Sequence, residues 1–134
     1  MKEPGMYRGI ILKESLKNQT LPRIARHYLD AEYPYMLDGE CKMSVFRLII
    51  PARQIRVVVE ELSYALKPEK FFAQFTGEYV MFVVFPGVWV TILKDQPEMA
   101  SAARLLGAQF GIPEHQMKFE EMFEKDHPNT KDAD

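Results

Sequence analysis

The chain has 134 residues, of which 47% are hydrophobic, 12% aromatic and 27% charged, and these are the values of a globular domain. Its formal net charge of −2 argues against a large nucleic-acid footprint, because such surfaces need excess Lys and Arg to displace counterions. One cysteine, Cys41, excludes an intrachain disulfide, and the first residues have no apolar signal-peptide region. We therefore expect a single cytoplasmic domain.

The first 42 residues are predicted to form an N-terminal β extension. A strand is predicted at residues 6–13, and the pattern breaks at residues 18–22. Residues 23–33 alternate imperfectly and are interpreted as a second strand, with a short helix as the alternative. Pro34 and the pair Asp38-Gly39 predict a loop at residues 33–40.

A strand at residues 43–50 precedes the clearest helix of the chain, which is predicted at residues 51–67. Its apolar residues recur three and four positions apart, so they share one helix face. They are Ile55, Val58, Val59, Leu62, Ala65 and Leu66. Pro51 suits the first helical turn and Pro68 ends the helix. A strand follows at residues 70–76.

The most apolar stretch of the chain is residues 79–93, which carry no charge. Fifteen residues are too few for a membrane-spanning helix, which needs about 20, and many of these are β-branched. Pro86-Gly87 has the residue order of a type II turn. The stretch therefore predicts two strands, 79–85 and 88–93, and one long kinked strand is the alternative.

A second helix is predicted to begin at Asp95, because Asp95 and Glu98 resemble a capping box. Gly111 is its expected end. The predicted inner stripe consists of Met99, Ala102, Ala103, Leu106 and Phe110. A last strand is predicted at residues 116–119, before a polar tail.

Residues 43–119 thus have the element order βαββαβ, which is typical of the ferredoxin-like α+β fold. This order predicts an antiparallel sheet with two helices on one of its faces. The expected domain covers residues 1–125, with 1–42 as the extension and 43–119 as the core, and residues 126–134 form a polar tail.

Both faces of the predicted strands in residues 79–93 are apolar, whereas a sheet with helices on one side should alternate. The second face therefore needs a cover, which could be the N-terminal strands, a second subunit or a ligand. We predict a homodimer whose interface includes this region. Coverage by the rest of the same chain is an equal alternative.

The residues that could carry chemistry form no recognised catalytic or metal-binding pattern. His27, His115 and His127 share no metal-ligand spacing, and a solvated His127 and a surface His115 are expected. Tyr28, Asp30 and Glu32 lie near His27, and the two carboxylates with this histidine could form an acid/base pair or a weak metal site, although a polar strand with solvated charges explains them more simply. We predict no catalytic residue, metal or cofactor.

Two arginines mark a candidate anion site at the start of the first predicted helix. Arg53 and Arg56 stand near its N-terminus, where the helix dipole disfavours cations and attracts anions. Pairing of Arg56 with Glu60 one turn later is the simpler explanation. RNA binding by the sheet is not favoured, because the stretch at residues 76–85 lacks the leading basic residue of an RNA-recognition motif.

Four short stretches, "RGIILKESLK", "ALKPEKFFAQF", "VVFPG" and "GIPEHQM", together resemble a small bacterial family of uncharacterised α+β proteins. The resemblance is spread over most of the chain. It implies a prokaryotic, cytosolic origin and no activity, and it carries no functional residue over to this sequence.

Two functions remain from the sequence. The first is a non-catalytic binding or interaction protein that forms a homodimer and has no membrane partner. The second is a cofactor-free enzyme or a small apolar-ligand binder of the dimeric α+β barrel type. In that case Phe82 and Trp89 would line the pocket, with His27, Tyr28 or Glu32 at its mouth.

Overall fold

The computed structural model describes residues 5–127 as an α+β fold built on one antiparallel sheet. Within these residues the sheet has six strands in the order β2-β3-β1-β4-β5-β6. The strands are β1 (Met6–Leu12), β2 (Leu29–Leu37), β3 (Cys41–Pro51), β4 (Ala73–Thr76), β5 (Val80–Phe85) and β6 (Val88–Leu93). The helices are α1 (Arg23–Arg26), α2 (Ile55–Ala65), α3 (Pro97–Gln109) and α4 (Phe119–Met122).

The N-terminal segment is part of the sheet rather than an addition to it. The first predicted strand is confirmed as β1, which pairs with β3 on one side and β4 on the other. Residues 23–33 contain both predicted alternatives, since the short helix α1 precedes the start of β2. The predicted loop at residues 33–40 is wrong for residues 33–37, where β2 continues through Pro34 to Leu37, but its turn at Asp38-Gly39 is confirmed. Proline is tolerated there because β2 is an edge strand.

Helix α2 covers one side of the sheet, which we call the α2 face. The predicted helix is confirmed, although its first residues form a 3₁₀ turn and α2 proper begins at Ile55. Its inward side packs against alternate residues of the strands, including Ile11, Phe75 and Phe82. The inward residues of α2 are Ile55, Val58, Val59 and Leu62, all buried.

The hairpin predicted in residues 79–93 is confirmed. Phe85 pairs with Val88 across a two-residue turn, and Gly87 takes the positive φ of 80° that such a turn requires. The backbone N–H of Gly87 donates to the carbonyl of Ser63 in α2, at 2.8 Å. This bond fixes the turn against the helix.

The opposite side of the sheet, the C-terminal face, is covered over β5 and β6 by α3, α4 and the turn between them. Met81, Val83 and Phe85 lie on this face, while their neighbours Phe82 and Val84 lie on the α2 face. The covering residues include Ala100, Ala103, Met117 and Phe119. Both apolar faces of the hairpin are therefore covered by the chain itself. An uncovered face was the reason for predicting a homodimer, so that reason no longer applies, and the homodimer stays a prediction.

The start of α3 differs from the predicted capping box. Asp95 has a positive φ of 67°, and Gln96 is the N-cap residue. No side-chain hydrogen bond caps the helix, and Pro97 occupies its first turn. Gly111 has the positive φ expected just after the helix. Ala102, assigned to the inner stripe, is exposed.

The ferredoxin-like βαββαβ arrangement is not confirmed. The last predicted strand, at residues 116–119, is instead the end of a 3₁₀ turn, Glu114–Gln116, and the beginning of α4. Strand β1 lies between β3 and β4, so residues before 43 occupy the middle of the sheet. The two long helices lie on opposite faces. Among residues 5–127, no helix has both the length and the apolar character needed to cross a membrane.

Candidate ligand-binding cleft

Among residues 5–127, helices and turns cover only half of the C-terminal face, and a cleft of about 850 Å³ lies over its other half. Helices α3 and α4 pack on β5 and β6, whereas the part of the face formed by β1, β2 and β4 is contacted by the segment of residues 115–127, beside which the cleft lies. The cleft is lined by Ile10, Leu12, Pro34, Tyr35, Met36, Leu37, Asp38, Gly39, Lys70, Phe71, Phe72, Gln74, His115, Gln116, Met122 and His127.

Strand alternation decides which side chains form the floor of this cleft. Ile11 belongs to the α2-face core, so its neighbours Ile10 and Leu12 point to the opposite side. Ile10 pairs with Gln74 of β4, which places both side chains on the same face. The floor therefore includes Ile10 and Leu12 of β1 and the nearly buried Gln74 of β4.

One end of the cleft is closed by His127, which contacts two tyrosines of β2. Its ring stacks on Tyr35 with centroids 4.0 Å apart and planes 15° apart. Its Nε2 lies 2.7 Å from the hydroxyl of Tyr33. The preceding residue, Asp126, forms an ion pair with Arg8 of β1, and its carbonyl accepts a hydrogen bond from Gln74 Nε2 at 3.1 Å. Residues 115–127, which we call the C-terminal segment, thus contact three strands through Asp126 and His127.

Burial sets the charge state of this end. It raises the pKa of Tyr33 to about 12, and the nearby Asp126 carboxylate adds to the effect. Burial also lowers the pKa of His127, and the Arg8 guanidinium acts in the same direction, against Asp126. Tyr33 and His127 are therefore both neutral at pH 7, so this end presents uncharged aromatic groups.

The other end of the cleft contains a second histidine, His115, paired with Asp38. His115 Nε2 lies 2.8 Å from Asp38 Oδ1, and Gln116 Nε2 donates to Asp38 Oδ2 at 3.0 Å. An ionised carboxylate accepts hydrogen bonds only, so the proton of a neutral His115 lies on Nε2. Its Nδ1 then remains an acceptor. These contacts join the β2–β3 turn to the turn after α3.

None of the five residues predicted for a ligand site lines this cleft. His27 is exposed after α1, and Tyr28 packs against the α2-face core. Glu32 lies 3.8 Å from Lys13 Nζ on the α2 face. Phe82 and Trp89 contact each other edge to face, with centroids 5.5 Å apart, on that same face.

The two arginines predicted for an anion site lie in different surroundings, and the anion site stays a prediction. Arg53 is exposed in the 3₁₀ turn before α2. The Arg56 guanidinium lies over the Trp89 ring, 5.8 Å from its centroid. Glu60, the alternative partner of Arg56, accepts a hydrogen bond from Trp89 Nε1 at 3.3 Å.

Sequence reasoning missed the residues that do meet at the cleft. The expected solvated His127 is wrong, since its ring stacks on Tyr35 and contacts Tyr33 of β2, and burial lowers its pKa. His115 is exposed, as predicted, but it is held by Asp38. Tyr33 and Tyr35, two positions apart, give a usable signal, because they share a face once residues 33–37 are read as a strand.

Across residues 5–127, no three or more His, Cys, Asp or Glu side chains are grouped so that they could hold a metal ion. Comparisons of the chain with models of known families, with curated proteins and with solved structures found no match. The resemblance to a small bacterial α+β family therefore stays a prediction.

Proposed function

We propose that the protein binds a small aromatic molecule, largely apolar and carrying at least one hydrogen-bonding group, in the cleft over β1, β2 and β4. The observation that carries this proposal is the cleft itself, a largely apolar volume that residues 5–127 leave open on a sheet they otherwise pack on both faces. A binding protein of this kind needs no catalytic group.

The size and lining of the cleft support a small organic ligand. Its volume of about 850 Å³ lies within the range of about 300–1,000 Å³ that is usual for such sites. Phe71 and Phe72 are only half buried at its wall. A ligand ring that covered them would remove apolar surface from water, at about 25 cal/mol per Å².

The polar groups at the cleft support a ligand with a hydrogen-bonding substituent. The free Nδ1 of His115 is an acceptor, and Lys70 supplies a cation at the rim. Asp38 already accepts two hydrogen bonds, which reduces its repulsion of an anionic group. A phenol, an aromatic acid or an aromatic amide fits this set of groups.

A thermal-shift screen of aromatic acids, phenols and amides, followed by calorimetry on the hits, tests the proposal. We expect Leu12→Trp, which fills the cleft, and Tyr35→Ala, which removes part of its wall, to weaken binding at least about tenfold. The matched controls are Leu105→Trp and Tyr64→Ala, at exposed positions on α3 and α2 that do not line the cleft.

A ligand whose affinity is unchanged by Leu12→Trp binds elsewhere and overturns the proposal. A screen in which no aromatic compound stabilises the protein overturns it as well. Loss of binding in both cleft variants, with affinity retained in both controls, supports it.

Proton transfer is a second candidate function, and the His115–Asp38 pair favours it. A carboxylate that holds Nε2–H keeps Nδ1 available as a general base, and the imidazole lies at the cleft. The test is incubation of each bound compound with the protein and NMR observation of its conversion. Conversion that Asp38→Asn slows while binding is kept supports an enzyme, and unchanged compounds leave binding as the function.

A further inference from the structure

The outermost strand at the hairpin end of the sheet, β6, has an unpaired edge. It is the last strand in the order β2-β3-β1-β4-β5-β6, and within residues 5–127 it pairs only with β5. Its six residues, Val88–Leu93, contain no charge and no proline. Such an edge exposes backbone donors and acceptors that another strand can use.

The register identifies which backbone groups of β6 are unpaired. In an antiparallel pair, alternate residues bond to the partner strand, and Val88 closes the two-residue turn with Phe85. The Lys94 N–H bonds to the Tyr79 carbonyl, so the even-numbered residues face β5. Trp89, Thr91 and Leu93 therefore direct their N–H groups outward. In the described part of the chain, no turn, loop or cap backbone group bonds to Trp89 or Thr91.

The opposite edge, β2, is built differently. It carries Asp30, Glu32 and Pro34, and its pairing with β3 is interrupted by an irregularity at Leu29/Ala31. Charges, proline and bulges are the devices that prevent edge-to-edge association. Their presence on β2 and absence from β6 distinguish a protected edge from one that can pair at Trp89 and Thr91, although the Leu93 carbonyl already accepts a hydrogen bond from the Gln96 N–H at 3.2 Å.

The β6 edge is complementary to a second copy of itself. An antiparallel pair centred on Thr91 brings Thr91 opposite Thr91 of the copy, where the two residues can exchange both N–H···O bonds. Trp89 then lies opposite Leu93, an apolar pair on the α2 face. Arg56 and Glu60 of α2 both contact Trp89. The α2 face beside β6 therefore carries one positive and one negative charge, and an antiparallel copy can place its opposite charges against them.

We propose that two copies of this chain associate through β6, antiparallel about a two-fold axis at Thr91, and form one continuous sheet across the dimer. The exposed Val88 and Leu93, 37% and 42% accessible, become buried at this junction. The cleft over β1, β2 and β4 lies away from the β6 edge in the strand order, so dimerisation through β6 leaves it open.

Size-exclusion chromatography with light scattering, at tens of micromolar protein, tests the dimer. We expect a mass twice the 15.6 kDa of the chain for the unmodified protein. Thr91→Lys places two like charges at the axis and is expected to give the monomer mass. Thr20→Lys adds the same charge at an exposed loop position and is expected to stay dimeric.

Hydrogen exchange identifies the strand that pairs. The amide of Thr91 should exchange slowly in the unmodified protein and quickly in Thr91→Lys, with circular dichroism as the control for folding. Val88→Lys, at an exposed position, replaces that variant if Thr91→Lys fails to fold. A monomer at this concentration, or a dimer that neither substitution weakens, overturns the proposal.

Discussion

The two faces of the sheet differ in the contacts that hold their side chains, and two neighbouring residues of β4 show the contrast. Phe75 lies on the α2 face, fully buried in a core to which β1, β3, β4, β5 and α2 contribute. Gln74 lies on the C-terminal face and is also buried, but its amide donates to the carbonyl of Asp126. One face is held by apolar packing, whereas half of the other depends on individual polar contacts.

Chain connectivity explains this difference. Helix α2 packs directly on the strands through an uninterrupted apolar stripe. On the C-terminal face, α3 packs on β5 and β6, and within the described part of the chain β1 and β2 are reached by residues 115–127. The α2 face should therefore determine stability, and the cleft half of the C-terminal face should tolerate change and remain available for binding.

The largest expected effect is the loss of a core aromatic ring from the α2 face. Phe75→Ala should lower the free energy of unfolding by about 3–5 kcal/mol, because it leaves a cavity beside β1. Gly9 lies against this ring so closely that an added Cβ would be 2.5 Å from it. Chemical denaturation measures the change, with Phe71→Ala at the cleft as the matched control. A comparable loss at both positions would contradict the contrast between the faces.

The next effect concerns α1, which has no side-chain cap of its own. Glu61 of α2 accepts hydrogen bonds from the backbone N–H groups of Ile24 and Ala25, both at 3.0 Å. Glu61→Ala should destabilise the protein by about 2 kcal/mol, since these bonds are charge-assisted and partly buried. Glu60→Ala, at a neighbouring position whose side chain accepts an exposed hydrogen bond of 3.3 Å from Trp89 Nε1, should cost less than about 0.5 kcal/mol in the same denaturation experiment. Equal losses would show that helix propensity, rather than the bonds, is responsible.

A smaller gain is expected on the C-terminal face. The Thr76 hydroxyl is buried and has no hydrogen-bond partner within residues 5–127. Thr76→Val keeps the shape and removes the unpaired group, so it should stabilise the protein by up to about 1 kcal/mol. Destabilisation by Thr76→Val, measured by thermal or urea unfolding, would indicate that the hydroxyl is bonded in solution.

The smallest effect is a pH dependence in the docking of the C-terminal segment on the sheet. The pKa of His127 is lowered by burial, so its docking is fully favourable above its ordinary pKa of 6.5. Docking should weaken as the pH falls from 6.5 through the lowered value, because the undocked ring binds the proton more readily. Tyr33, Tyr35, Arg8 and Asp126 are the groups that face it.

NMR of the Tyr35 ring, which reports stacking by His127, measures this dependence. His127→Phe should retain the stacking and abolish the pH dependence, while His27→Phe at an exposed position should leave it unchanged. A Tyr35 signal that shifts equally with pH in His127→Phe would assign the effect to another group.

The elements with strong local signals could be predicted from the sequence. The periodic stripe of Ile55, Val58 and Leu62 located α2, and the β-branched run around Pro86-Gly87 located the β5–β6 hairpin. Elements with conflicting signals could not: Pro34 favoured a loop, and only the edge position of β2 makes it acceptable in a strand. The candidate site was missed because His115 and Asp38 are 77 positions apart in the chain.

The sequence by itself determined an α+β chain with an apolar hairpin whose two faces both need a cover, because side-chain periodicity is a local property. Only the tertiary structure decided what covers them, namely α2 on one face and the segment from α3 onward on the other. It also decided that β1 lies in the middle of the sheet and that His127, which has no local signal, packs on Tyr35. Strand order and the docking of a terminal segment depend on contacts between residues distant in the chain, and no local pattern records them.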